Sequence, residues 1–168
     1  MKAKTFFLTG MTFISLLFCV NILQAQSSQI KLNQVELMKQ WIGSWKWEVA
    51  NDTTGFADIK PYGLGIESYF KIVTKGKIVM EGKKLWGYDK KDDKYILAEI
   101  IKGQDIVLWA TWFISKNKYE WIPYSSISDP EKASYKFEGE FKSPDLLLET
   151  YIKNNKEVAV WTFTRIKK

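Results

Sequence analysis

From residue 44 to near the C-terminus, apolar residues recur at every second position, and no stretch within that span is patterned like a crossover helix. A period of two belongs to pleated strands with one buried face. Parallel strands need connections of a dozen or more residues, whereas the gaps here are short, so neighbouring strands are expected to pair antiparallel. Strand-like runs fall at 44–51, 65–74, 77–88, 94–101, 106–115, 118–125, 134–141, 145–153 and 156–167, with a weaker one near 56–62. Turn signals separate them: Lys75-Gly76, the stretch 89–93, Lys102-Gly103, Lys116-Asn117, Ser143-Pro144-Asp145 and Asn154-Asn155. A meander of this kind has two open edges, and closing it into a barrel removes both. The expected fold is therefore all-β, a single antiparallel up-and-down barrel of about 8–10 strands.

Alternation also assigns faces. Trp45, Trp47 and Val49 share one side of the first strand, and Tyr135, Phe137, Gly139 and Phe141 share one side of the run at 134–141. Ile66, Ser68, Phe70 and Ile72 form a third inner face. The apolar sets Leu108, Ala110, Trp112, Ile114 and Leu146, Leu148, Ile152 are also expected to face inward. In the run 77–88, Lys84 shares a face with Ile78, Met80, Gly82, Trp86 and Tyr88. Glycine in a strand often marks a bulge and lysine is seldom buried, so a bulge near Gly82 is expected to turn Lys84 outward. In the run 94–101, Ile96, Ala98 and Ile100 make the more apolar side, which assigns Glu99 to the outside.

Ahead of the strands, residues 32–42 have helical spacing, with Asn33 and Glu36 in capping-box register and Gly43 at the stop position. So short a helix is expected to plug or cover the barrel. Earlier still, Lys2 and Lys4 precede an apolar stretch at 6–20, and Leu23-Gln24-Ala25 offers a small residue for cleavage. This is the layout of a secretory signal peptide at 1–25, leaving a mature domain at 26–168 in the periplasm or the medium. The sole cysteine, Cys19, is a minor alternative as a lipid anchor, since Phe18 stands where a small residue is wanted. Without a mature cysteine the domain has no disulfide, and its core must supply the stability.

Charge excludes little and chemistry excludes more. Taking Lys2 and Lys4 from the 25 basic residues leaves 23 against 19 acidic, a net charge of +4. These lysines are dispersed, and the chain has only Arg165 as arginine, so no nucleic-acid footprint is present. Absence of histidine removes imidazole bases, and the cysteine count removes thiol nucleophiles and thiolate zinc sites. No metal or cofactor is implied. Carboxylates remain: Glu67, Glu99 and Glu149 all lie in strands, and two in one lumen would make an acid–base pair. With Glu99 assigned outward, the chain is read as non-enzymatic.

Four features together resemble the lipocalin-like branch of the calycin superfamily, in particular small exported bacterial members of unassigned function. Leu37-Met38-Lys39-Gln40-Trp41-Ile42 leads into Gly43-x-Trp45, Gly63-x-Gly65-x-Glu67 precedes a strand, Gly87-Tyr88-Asp89 is followed by lysines, and the last strand ends in Arg165. The resemblance implies that Gly43, Trp45 and Arg165 are fold determinants, with the last strand bringing Arg165 over the Trp45 indole. It also offers Arg165 an alternative role as the grip for a ligand carboxylate. A haem-binding branch uses histidine, which this chain lacks.

The abundant rings can fill the barrel, line a cavity, or dock a partner through an outer patch that includes Trp109 and Phe113. A partial cavity is expected, lined by Trp47, Phe70, Met80, Trp86, Trp112 and Phe137, holding a small hydrophobic molecule. A filled envelope interaction module is the alternative, and a homodimer stays open.

Overall fold

The computed structural model describes residues 31–167, and both the segment 1–25 that is read as a signal peptide and Cys19 lie outside them. A short helix, α1 (Gln34–Met38), runs through a 3-10 turn (Lys39–Trp41) into the first strand. Ten strands follow: β1 (Gly43–Ala50), β2 (Thr53–Tyr62), β3 (Gly65–Thr74), β4 (Lys77–Asp89), β5 (Lys94–Ile101), β6 (Val107–Phe113), β7 (Lys118–Pro123), β8 (Tyr135–Ser143), β9 (Leu146–Lys153) and β10 (Lys156–Arg165). Each pairs antiparallel with its sequence neighbour, and β10 pairs with β1, so the sheet closes into a ten-strand barrel. This is the expected all-β, up-and-down architecture, and it is consistent with a lipocalin-like barrel. No helix among the described residues is long and apolar enough to cross a membrane.

Local chemistry explains the connections. Lys75-Gly76 and Asn154-Asn155 all have positive φ, the geometry of tight hairpins whose twist matches that of the flanking strands. Asn33 caps α1 by accepting from the Glu36 amide at 3.1 Å, while the Glu36 carboxylate pairs with Lys39. Met38 and Trp41 point into the barrel end and are almost fully buried. The Trp41 ring packs against Tyr119, Phe141 and Trp121 at centroid distances of 4.9, 5.6 and 5.9 Å. The helical segment is thus the plug that its apolar side suggested.

The junction to β1 is built on three residues. Gly43 has φ +133°, and a Cβ there would collide with the Arg165 guanidinium. Arg165 lies over the Trp45 ring, 4.2 Å from its centroid, and donates to the carbonyls of Gln40 (3.0 Å), Pro144 (2.9 Å) and Ile42. Trp45 is 1% exposed, and its Nε1 donates to the Trp41 carbonyl at 2.8 Å.

Several expected faces are inverted. In β6, Trp109, Thr111 and Phe113 are buried, while Leu108, and Ile114 just beyond the strand, are exposed and Trp112 carries Lys94 over its outer face at 4.2 Å; of the set expected to face inward, only Ala110 is buried. Both sides of β6 are apolar, so alternation there cannot choose. The choice follows the ladder register, which sets Trp109 opposite Leu97, Thr111 opposite Tyr95 and Phe113 opposite Tyr119, all buried, and Gln34 adds bonds to both the N–H and the carbonyl of Phe113. Trp109 and Phe113 therefore form no outer docking patch. Likewise Leu147 is fully buried in β9, whereas Leu146 and Leu148 are only half-buried.

Replacing Trp45 with alanine should cost about 3–5 kcal/mol, measured by denaturant unfolding, because it empties a buried ring site and strips Arg165 of its stacking partner. A near-neutral result would show that the barrel end is not organised around this indole.

Candidate functional site

The barrel encloses a cavity of about 450 Å³. Buried residues line its inner end, among them Trp41, Trp45, Trp86, Trp121 and Phe70. Half-buried residues line the other end, including Trp47, Met80, Phe137, Trp161 and Phe163. The lumen is thus closed on the side of α1 and opens at the far rim. Three inward glycines shape its wall. A Cβ at Gly55 would meet the Trp47 ring, at Gly82 the Ile100 carbonyl and the Phe70 ring, and at Gly139 the Tyr119 ring. Each glycine gives up its side-chain space to a neighbouring aromatic.

Of the residues expected to line a cavity, Trp47, Phe70, Met80, Trp86 and Phe137 do so. Trp112 does not, for the reason given for β6. Arg165 does not either: its guanidinium is engaged by backbone carbonyls at the closed end and lies outside the cavity lining. Trp121, Trp161 and Phe163 complete the aromatic wall without having been singled out from sequence.

Sequence reasoning also missed the polar groups of the lumen. Lys84 faces inward and forms an ion pair with Glu99 at 2.9 Å. The two are direct cross-strand partners in an unbroken register between β4 and β5. The bulge in β4 lies earlier, at Val79, where the pairing skips from Met80 to Ile78. Gly82 marks room for Phe70, so it leaves Lys84 inside. Glu99 also accepts from Trp109 Nε1 at 3.1 Å, which uses both of its oxygens. The Lys84 ammonium stands 4.9 Å from the Trp121 ring centroid and 5.1 Å from that of Phe70.

Across the lumen, Glu149 is 7% exposed and accepts from the Tyr119 hydroxyl at 2.8 Å. Burial pushes its carboxyl up to about 7, against a smaller opposing pull from the Lys84 charge and the Tyr119 hydrogen bond. Burial, then the Glu149 charge, holds the Tyr119 hydroxyl well above its ordinary value. Trp121 Nε1 approaches this hydroxyl closely enough to oppose that rise, yet falls short of hydrogen-bond geometry and has no partner. Glu67, the third strand glutamate, is exposed.

Searches with the sequence find no matching model of a known protein family and no similar curated protein.

Glu149 makes stability depend on pH. Its folded carboxyl titrates near 7 and its unfolded one near the ordinary 4.5, so the folded state holds a proton that the unfolded state has released in that window. Stability attributable to this group is therefore full below 4.5 and falls as pH rises through about 7, by roughly 2–3 kcal/mol in all. Glu149→Gln should lack this slope: denaturant midpoints of variant and wild type should converge at acid pH, with the variant the more stable above neutrality. Parallel profiles would show that Glu149 ionises freely in the folded barrel.

Proposed function

We propose that this chain is an exported, non-enzymatic carrier or sensor that buries a small hydrophobic molecule in its barrel lumen, as a member of the lipocalin-like branch of the calycin superfamily. The observation that carries this reading is the aromatic lumen of about 450 Å³, closed by Trp41 and Trp45 at one end and open at the other. That volume lies within the usual range for small-molecule sites, and its lining is mostly apolar with a few convergent polar groups, as such sites tend to be. Support for the family comes from the ten-strand closure and from the Gly43, Trp45 and Arg165 junction. Support for export comes from the basic and apolar leader at 1–25.

A second reading, a carboxylate-dependent enzyme, is favoured by Glu99 and Glu149 sharing one lumen. It is the weaker of the two, because Glu99 is held by Lys84 and Trp109, one on each oxygen, which favours a structural ion pair. A lone protonatable Glu149 serves binding as well as it serves chemistry.

The container reading is tested with a neutral aromatic dye, N-phenyl-1-naphthylamine, read by its own emission and by quenching of lumen tryptophans. Ala57 lines the cavity between Trp45 and Phe70. Ala57→Phe should lower dye affinity by about tenfold or more through occupied volume, while Leu85→Lys on the outer face should leave it unchanged. The reverse pattern would assign binding to the outer surface.

A further inference from the structure

Besides the unpartnered Trp121 Nε1, Lys84 and Glu149 bring unused bonding capacity to opposite walls of the lumen. Lys84 has three N–H donors and one acceptor, Glu99, and its other contacts are the ring faces of Phe70 and Trp121. Glu149 accepts from Tyr119 through Oε2, and no hydrogen bond reaches Oε1. The Lys84 charge acts on Glu149, yet the two stand too far apart for an ion pair. Both side chains line the same cavity, so a ligand held there meets the two together.

Resting on the container reading, we infer that the molecule held here has a flat apolar ring body and a single hydroxyl at its inner end, whose oxygen accepts from Lys84 Nζ and whose O–H donates to Glu149 Oε1. The ring body lies among Trp47, Trp161, Phe137 and Phe163 toward the rim. Other end groups fit less well. A bare hydrocarbon leaves both Lys84 and Glu149 unmet. An ammonium has no lone pair for Lys84 and is repelled by it. A carboxylate adds a negative charge beside Glu149 and Glu99, with one lysine already paired. A hydroxyl both donates and accepts, so it also suits Glu149 in either protonation state. That matters because the groups facing Glu149 (Tyr119 on β7, Lys84 on β4 and Glu99 on β5) leave its carboxyl titrating at about 7.

The test compares four ligands of one shape on the intact barrel by tryptophan quenching at neutral pH: naphthalene, 2-naphthol, naphthalene-2-carboxylate and 2-naphthylmethylammonium. 2-Naphthol should bind about tenfold tighter than naphthalene, the ratio that one hydrogen bond to a charged partner supplies, and tighter than either charged analogue. Glu149→Leu should bring the ratio of 2-naphthol to naphthalene affinity down toward one, while Leu85→Lys on the outer face should leave that ratio as in the wild type. Should that variant fail to fold, the wild-type ranking decides. Equal binding of naphthalene and 2-naphthol, or a charged analogue at the top, overturns the hydroxyl assignment and leaves the container standing. If none of the four binds, the container reading itself fails.

Discussion

The seam between β1 and β10 joins three residue pairs, Trp45–Arg165, Lys46–Thr164 and Trp47–Phe163, and is the shortest in the barrel. So short a ladder would be a weak place to close a cylinder, and Arg165 reinforces it. One guanidinium binds the carbonyls that end the 3-10 turn, reaches the β8–β9 turn through Pro144 and Asp145, and lies over the indole that seals the barrel. Gly43 is glycine because that guanidinium occupies the space beside its Cα. Closure, plug and first strand are therefore one assembly. Everything inward of Trp45 depends on it, since an open end would flood the lumen.

Within that container, the burial of charge follows a simple balance. Lys84 or Glu99 alone in an aromatic lumen would incur the desolvation cost of an unpaired ion. Side by side on β4 and β5, each neutralises the other, and Trp109 satisfies the second oxygen of Glu99. Glu149 has no such partner and meets the same cost by holding its proton up to about 7. An apolar vessel is thereby given one polar inner region, which turns a generic cavity into one able to distinguish end groups.

The strand plan, the hairpin turns and the junction residues were legible in the chain because each is a local property. Asn154-Asn155 needs no distant partner to form a tight turn, and Gly43 next to Trp45 marks a helix-to-strand passage wherever the barrel closes. Faces were legible where one side was polar, as in β3 and β8. They were not where both sides were apolar: in β6 the choice of Trp109 over Trp112 rests on its register with β5 and β7, which sets Trp109 opposite Leu97 and Phe113 opposite Tyr119. In β9 a run of three leucines carries no alternation at all.

Lys84 and Glu99 show the deeper limit. Judged singly, each belongs outside, and single-residue reasoning put both there. Their burial is a property of the pair, created by a hairpin register that places them directly opposite each other and by a bulge at Val79 instead of near Gly82. Alternation and turn chemistry are short-range and additive, so the chain alone was enough to specify a closed antiparallel barrel of about 8–10 strands with an aromatic interior, and the folded structure set the count at ten. Charge compensation and cavity lining depend on which side chains meet across strands. The polar heart of the lumen therefore came into view with the folded barrel.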